Sequence, residues 1–322
     1  MSGRIMKGVE KAGRPSPSRV SASAAPMRPD ENANLTAVLW GDAHVSFLLR
    51  SRSETTLAAA QDVAAAESAF DALLLVGDVT ENGEPGEYEF MADCFELMRS
   101  KIKRFIPATG NHDVRIRPVG ITARRFFRFC QRVGAPAEKG RLYYSQTVNG
   151  YAFIVLGTVK NTFEEAALDG AELRWLEREL EKAADGKPVF VLLHQSLKKT
   201  HGLPGIWSGP SVSKGDVGPQ SDALRELLNR YRNVFLLTGH IHAGFGPQNF
   251  DRVGNIRSVN VPSVGVTSKY GAYNAPGTGY IMEVFDDRVR FRARDHLRGI
   301  DLSEYNVDVL ISMDNEQWTM DN

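Results

Sequence analysis

The stretch Ala72-Leu73-Leu74-Leu75-Val76-Gly77-Asp78 is a run of apolar residues that ends in a glycine and one carboxylate. A short continuous apolar run is typical of a strand that is buried on both faces of a sheet. The Asp78 carboxylate has two oxygens, which can bridge two cations that lie about 3.5 to 4 Å apart. Taken alone, Asp78 is better explained as a residue that caps a turn, because Gly83, Pro85 and Gly86 follow it.

Four other segments repeat this arrangement and place metal-ligand residue types after an apolar run. They are Asp42-Ala43-His44, Gly110-Asn111-His112-Asp113, His194 and Gly239-His240-Ile241-His242, and they hold five of the seven histidines of the chain. Each segment alone has an ordinary explanation, and His194 alone is better explained as a buried, hydrogen-bonded core residue. Because ligands from several strand ends converge at one edge of an α/β sheet, the five segments together predict one dinuclear metal site.

Apolar runs alternate with helical patterns, which is typical of a largely parallel sheet with crossover helices. The predicted strands are residues 35–40, 72–76, 105–108, 152–156, 189–193 and 234–237, and the predicted helices are residues 54–70, 87–100 and 171–184. Asp169 and Glu172 predict a capping box at the start of the third helix. After residue 244, short strands at 255–261, 279–285 and 289–293 predict an antiparallel meander.

The chain of 322 residues is interpreted as one large domain over residues 35–300. Residues 1–34 are predicted to be a disordered tail without a signal-peptide core, and residues 301–322 a C-terminal extension. The segment 199–220 is rich in Gly, Pro and Ser, and it is predicted to be a long loop that forms a functional lid.

Composition excludes several classes of protein. Lys plus Arg and Asp plus Glu are equal at 39 each, so no global charge favours nucleic acid or an anionic membrane as partner. No apolar run approaches the roughly 20 residues of a membrane span. Cys94 and Cys130 lie in amphipathic stretches, so we expect no disulfide-linked partner, no thiolate metal site and a cytoplasmic location.

With these residues assembled, the chain resembles the calcineurin-like metallophosphoesterase superfamily. The five blocks of that superfamily run Asp-x-His, Gly-Asp, Gly-Asn-His-Asp/Glu, a lone His and Gly-His-x-His, in the order found here. The resemblance covers residues 36 to 295. It implies an α/β fold in which a two-sheet β-sandwich is flanked by helices as four αββα layers, with two Mn, Fe or Zn ions as cofactors.

The resemblance also implies a role for each residue of the motifs. One metal would be held by Asp42, His44 and His242, the other by Asn111, His194 and His240, and Asp78 would bridge them. His112 would assist at the scissile phosphate, and Asp113 would orient the His112 ring. His201 and His296 lie outside the motifs and are predicted to be exposed residues without a role.

The implied function is metal-dependent hydrolysis of small-molecule phosphoric esters, with phosphodiesters preferred, by a hydroxide that bridges the two metals. The segments 77–83 and 86–88 are similar to bacterial cyclic-nucleotide and glycerophosphodiester phosphodiesterases. The Asp-Arg-Gly ending of protein phosphatases does not follow Asp78. Two alternatives are a phosphomonoesterase for nucleotides or sugar phosphates, and a catalytically silent binding or scaffold member of the same fold.

Overall fold

The computed structural model describes residues 24–201, 215–266, 270–311 and 318–320. Most of the predicted lid, at residues 202–214, lies outside the described residues. The same holds for residues 1–23 of the predicted tail and for residues 312–317 and 321–322 of the predicted extension.

Strands and helices alternate through most of the chain. The strands are β1 (Leu35–Trp40), β2 (Ala72–Leu75), β3 (Phe105–Pro107), β4 (Tyr144–Val148), β5 (Tyr151–Val155), β6 (Val189–Leu192), β7 (Val234–Thr238), β8 (Phe250–Val253), β9 (Ile256–Asn260), β10 (Thr278–Val284), β11 (Arg288–Asp295), β12 (Ile300–Asp301), β13 (Val307–Leu310) and β14 (Trp318–Met320). The α-helices are α1 (Arg50–Ala64), α2 (Pro85–Met98), α3 (Asn111–Val114), α4 (Val119–Val133), α5 (Gly170–Lys182) and α6 (Ser221–Asn229).

The strands form two mixed sheets. In the first, the order is β14-β13-β11-β10-β1-β2-β3, with β12 paired to β11. In the second, the order is β4-β5-β6-β7-β9-β8. The strands β1, β2 and β3 run parallel in the first sheet, and β5, β6, β7 and β9 run parallel in the second. The carboxyl ends of both parallel sets carry the predicted motifs, so the topology gathers them at one edge of the sandwich.

Alternation along the strands of the second sheet separates its two faces. Phe153, Phe190 and Phe235 belong to the main core, where the Phe235 and Phe291 rings lie 6.3 Å apart across the two sheets. Ile154, Val191 and Leu236, the next residue in each case, pack in a second core with α5 and α6. On the far side of the first sheet, the Phe95 ring of α2 stacks on Phe105 of β3.

The resulting order of layers is helices, sheet, sheet, helices, and it confirms the predicted four-layer fold. The expectation of one largely parallel sheet is wrong, because antiparallel strands border the parallel set in both sheets. The meander is right for β10 and β11, which form an antiparallel hairpin. It is wrong for β9, which pairs in parallel with β7 of the other sheet.

Within the described residues, no helix is long and apolar enough to cross a lipid bilayer.

Part of the predicted tail is tied to the first sheet. The side chain of Met27 is buried, the Ala25 N–H donates to the Gly299 carbonyl at 3.1 Å, and the Asp30 N–H donates to Glu283 Oε1 at 2.9 Å. Residues 24–34 therefore gain both apolar burial and backbone hydrogen bonds, neither of which their composition indicates.

The two histidines outside the motifs are buried, so the prediction that they are exposed is wrong. His296 Nδ1 donates to Asp62 Oδ2 at 2.8 Å, and its Nε2 accepts from Trp40 Nε1 at 2.9 Å. Both nitrogens of His201 are also engaged, with the Gln248 carbonyl and the Ser258 hydroxyl. These partners are distant in sequence, and a loop histidine gives no local sign of them.

Asp169 caps α5 as predicted, but the second half of the capping box is absent. Asp169 Oδ1 accepts from the N–H groups of Ala171 and Glu172, at 2.8 Å each. The Glu172 carboxyl instead turns inward and accepts from the Gly157 N–H at 3.0 Å. Burial raises the pKa of Glu172 to about 8. The carboxyl is therefore protonated when folded, at pH values where it is ionised when unfolded.

This raised pKa predicts a pH-dependent cost in stability. Between about pH 4.5 and pH 8 the folded chain holds a proton that the unfolded chain has released, so the free energy of unfolding falls as pH rises. Glu172→Gln removes this pH dependence, because the glutamine side chain does not titrate. We expect the variant to gain up to about 1.4 kcal/mol per pH unit relative to the parent across that window. Urea unfolding at several pH values measures it, with the exposed Glu181→Gln on the same helix as control. Parallel profiles for Glu172→Gln and the parent would contradict the assignment.

Candidate metal centre

The five predicted segments meet at the carboxyl edges of the two sheets. Asp78, after β2, supplies an oxygen that lies 3.3 Å from His44 Nε2, after β1. The same Oδ2 lies 3.1 Å from His194 Nε2, which follows β6 in the other sheet. Asp42 Oδ1 lies 3.2 Å from His242 Nε2. Carboxylate oxygens and imidazole nitrogens of residues up to 200 positions apart in sequence therefore lie 3.1 to 3.3 Å from one another.

Two groups of potential ligand atoms share Asp78. One contains Asp42, His44, Asp78 and His242, and the other contains Asp78, His194 and His240, with the atoms of each group within 4.8 Å of one another. Asn111 lies nearby on the first turn of α3, where the next residue, His112, donates its backbone N–H to Asp78 Oδ1 at 2.8 Å. All seven predicted ligand positions are thus brought to one place.

The backbone conformation of the predicted ligands also indicates a functional site. Ten non-glycine residues of the described chain have positive φ, and five of them are predicted ligands. These are Asp42, His44, Asp78, His240 and His242, with φ between 45° and 73°. A residue with a Cβ atom is strained in the left-handed region of φ and ψ, and such strain concentrates at functional sites. Each of these five residues therefore leaves its strand through a sharp turn that the surrounding fold enforces.

Glycines before the ligands allow the segments to approach closely. Gly77 has φ of 78°, and a Cβ atom there would lie 2.4 Å from His194 Nδ1. A Cβ at Gly110 would lie 2.2 Å from Asp78 Oδ1. Neither position can take a side chain without moving a ligand.

Hydrogen bonds fix the orientation of two imidazoles. His44 Nδ1 donates to Glu81 Oε2 at 2.9 Å, and His194 Nδ1 donates to the Val76 carbonyl at 2.8 Å. Each bond leaves Nε2 directed at the Asp78 carboxylate. This is the arrangement by which outer partners set the tautomer of a metal-binding histidine.

The electrostatics of the site suit cations. Burial opposes ionisation of Asp78, but its interactions with the His194 and His44 imidazoles outweigh burial and hold its pKa well below the usual range. Burial lowers the pKa of His44 to about 4, so that its Nε2 carries a lone pair. For His194, burial is outweighed by Asp78, which raises the pKa to about 9. The ionised carboxylates therefore favour the binding of a cation at this buried position.

The chemistry of the donor set fits divalent metals. Asp42 Oδ2, Asp78 Oδ2, Asn111 Oδ1 and His194 Nε2 are buried, and within the described residues they make no hydrogen bond of normal geometry. The polar neighbours of Asp78 Oδ2 are the Nε2 atoms of His194 and His44, which are themselves predicted ligands. Buried polar atoms without partners are costly, and a bound cation would satisfy them.

Asp113 does not have the role predicted for it. Its carboxylate accepts from the backbone N–H groups of Val79, Thr80 and Gly110, and from the hydroxyls of Thr80 and Tyr88. Asp113 thus holds the Gly77-Asp78 turn against the α3 turn. Its side chain contacts the backbone of the second block rather than the His112 ring, because the N–H groups of Val79, Thr80 and Gly110 hold both of its oxygens.

Glu81 occupies the place that was predicted for Asp113. His112 Nδ1 lies 3.2 Å from Glu81 Oε2 and 3.1 Å from the Glu81 carbonyl. Glu81 also binds Arg52 and Arg115. Burial raises its pKa, but the hydrogen bonds from His112 and His44 outweigh burial and lower it. The sequence offered one sign of this residue, an acidic side chain three positions after Asp78.

Glu164 is a second residue that the motifs do not reveal. Its Oε2 accepts from Asn111 Nδ2 at 2.8 Å, while Asn111 Oδ1 is buried without a hydrogen-bond donor among the described residues. The Glu164 carbonyl accepts from Gln195, next to His194. No pattern in the loop that carries Glu164 distinguishes it from the neighbouring Glu165.

Comparisons with known proteins agree with this geometry. The sequence model of the family described as calcineurin-like phosphoesterase matches residues 35–244, which include every predicted site residue. The chain is 30% identical over 176 residues to a probable cyclic nucleotide phosphodiesterase of Synechococcus sp., covering 54% of this chain and 59% of that protein. It is 24% identical over 152 residues to purple acid phosphatase 23 of Arabidopsis thaliana, covering 46% of this chain and 30% of that protein.

A solved structure has a similar fold. A purple acid phosphatase from yellow lupin (Lupinus luteus) seeds superposes with a TM-score of 0.59 at 15% identity, covering 83% of this chain and 52% of that one. The chain therefore spans less than two thirds of the length of each of these three proteins.

The contacts of Glu81 predict that it controls metal affinity. Glu81→Ala leaves His44 Nδ1 buried without its acceptor, and we expect the affinity for Mn²⁺ to fall by about 10- to 100-fold. Isothermal titration calorimetry on protein stripped with a chelator measures this. The control is Glu96→Ala, which removes a surface ion pair with Arg99. Equal Mn²⁺ affinities for Glu81→Ala and the parent would show that Glu81 does not support the ligands.

Proposed function

The chain belongs to the calcineurin-like phosphoesterase family, and from that premise we propose that it is a metal-dependent hydrolase that prefers phosphodiesters. The observation that carries the proposal is the buried Asp78 carboxylate between His44 and His194, with oxygen-to-nitrogen distances of 3.3 and 3.1 Å. This arrangement matches what a carboxylate shared by two cations requires.

The proposed ligand sets follow the two groups of atoms. Asp42, His44 and His242 would hold one cation. Asn111, His194 and His240 would hold the other, and Asp78 would be shared by both. When bound, such a pair supplies an activated water near neutral pH and neutralises charge on the phosphoryl oxygens.

His112 is the proposed proton donor. Burial alone would lower its pKa, but the hydrogen bond to Glu81 and the charge of Asp78 outweigh burial and raise it. Its side chain is 14% exposed, unlike the fully buried ligand histidines His44 and His194, so substrate can reach it. A protonated imidazole here stabilises negative charge on the phosphoryl group or protonates the departing alkoxide.

The similarity to a probable cyclic nucleotide phosphodiesterase supports a diester rather than a monoester as substrate. A phosphomonoester carries about two negative charges near pH 7, whereas a diester carries one. Near His112, Arg52 and Arg115 both pair with Glu81, whose single negative charge offsets one of the two guanidinium charges.

Phosphomonoester hydrolysis is the second candidate, because the other two similar proteins are named as purple acid phosphatases. A binding protein without turnover is the third. The intact set of ligand positions, together with His112, speaks against that third candidate.

Removal of the shared carboxylate or of the proposed donor tests the assignment. We expect Asp78→Asn and His112→Ala each to lower kcat on bis(p-nitrophenyl) phosphate by a factor on the order of 10² or more. Turnover is measured with Mn²⁺, beside p-nitrophenyl phosphate as the monoester. Asp222→Asn, at an exposed position on α6, is the control. Parent-like rates in Asp78→Asn would refute the site, and metal binding without hydrolysis of either ester would favour a binding protein.

A further inference from the structure

An exposed apolar surface borders the metal centre. Seven large hydrophobic side chains of the described residues are exposed, and five of them lie on three segments that also carry site residues. We call these five the apolar rim: Phe47, Leu48, Leu49, Ile116 and Phe163. Leu48 is 88% exposed and Phe163 is 62% exposed. Scattered exposed leucines are ordinary, but a concentration of them around a site indicates an interaction surface.

Each segment of the rim lies within three residues of a residue of the site. Phe47 follows His44 by three positions, Ile116 follows Asp113 by three, and Phe163 directly precedes Glu164. The strained turns that orient the ligands therefore also fix where the rim residues emerge.

Contacts across the segments connect Phe47 to Ile116. The Phe47 ring packs on the start of α2, where a Cβ added at Gly86 would lie 2.9 Å from its Cε2 atom. Glu84, at the same helix start, accepts from Arg117 at 2.9 Å. Arg117 is the residue after Ile116, so these two parts of the rim share one neighbourhood.

Further contacts connect Ile116 to Phe163. The Arg115 guanidinium lies 5.7 Å from the centre of the Phe163 ring, and the Asn161 amide donates to the Arg115 carbonyl. Arg115 also binds Glu81, which contacts His112. These contacts place the three rim segments next to one another, with the charged side chains of Glu84, Arg117 and Arg115 between them, on the side of the site where the proposed proton donor lies.

We infer that the apolar rim binds the non-reacting alcohol group of a phosphodiester that carries a long alkyl chain. This inference rests on the proposed function. An ester bound at the metals would lie next to the partly exposed His112, on whose side the rim begins. The five rim side chains supply no hydrogen-bonding group, whereas a nucleobase has polar edges that need partners when buried. An alkyl chain needs only apolar contact over several residues, which the rim supplies.

A matched pair of substrates tests this. Methyl p-nitrophenyl phosphate and decyl p-nitrophenyl phosphate share the leaving group and differ only in chain length. With Mn²⁺ and below the micelle concentration, we expect kcat/KM for the decyl ester to exceed that for the methyl ester by about tenfold or more. In Leu48→Ser/Ile116→Ser/Phe163→Ser, the ratio should fall to within about threefold of unity, with the methyl ester hydrolysed at the parent rate.

The control replaces the two exposed leucines that lie outside the rim, as Leu97→Ser/Leu297→Ser, and should retain the parent ratio. A parent ratio near unity, or a ratio that the rim variant retains, would overturn the inference. So would a preference for thymidine 5′-p-nitrophenyl phosphate over the decyl ester.

A second measurement separates failure of the rim from failure of the proposed function. Calorimetry with decyl and methyl phosphate on Mn²⁺-loaded protein requires no turnover. If neither ester is hydrolysed, the proposed function fails. The rim is then supported when the parent binds decyl phosphate about tenfold more tightly and the rim variant does not, and it is refuted when both ligands bind equally.

Discussion

Two buried carboxylates, those of Asp78 and Asp42, dictate how the two sheets meet. An ionised carboxylate away from water is costly unless positive charge and hydrogen-bond donors surround it. Asp78 belongs to the first sheet and His194 to the second, and their side-chain atoms lie 3.1 Å apart. The His240 N–H donates to Asp42 Oδ1 at 3.0 Å and makes a second such link. The apolar core holds the sandwich together, but these contacts fix how its two edges are aligned.

Other features at the carboxyl edges of the two sheets also help to bring the predicted ligands together. Positive φ values turn the ligands out of their strands, and Gly77 and Gly110 leave room for the approach. Asp113 ties the Asp78 turn to α3, and Glu81 orients His44 and contacts His112. Strain at the ligands is thus offset by a network that lies one layer behind them. Such a network keeps the ligand atoms in place before any cation binds.

The strands were well predicted because buried parallel strands are continuously apolar, and the bounds of β1 match the predicted 35–40. The candidate ligands could be selected from the sequence because their motifs are local. The residues that support these side chains could not be selected in this way. Glu81 and Glu164 make hydrogen bonds to His44 and Asn111 that no sequence spacing encodes. The burial of His201 and His296 and the sheet to which β9 belongs likewise depend on residues distant in sequence. Asp113 was assigned to the wrong partner because adjacency to His112 does not give side-chain direction on a helical turn.

The central claim is that one carboxylate is shared by two cations. The most direct measurement is the anomalous scattering of Mn²⁺ in crystals of the metal-loaded protein. The account predicts two anomalous peaks about 3.5 to 4 Å apart, with an Asp78 oxygen bound to both. A single peak, or two peaks of which either lacks Asp78 as a ligand, would contradict it.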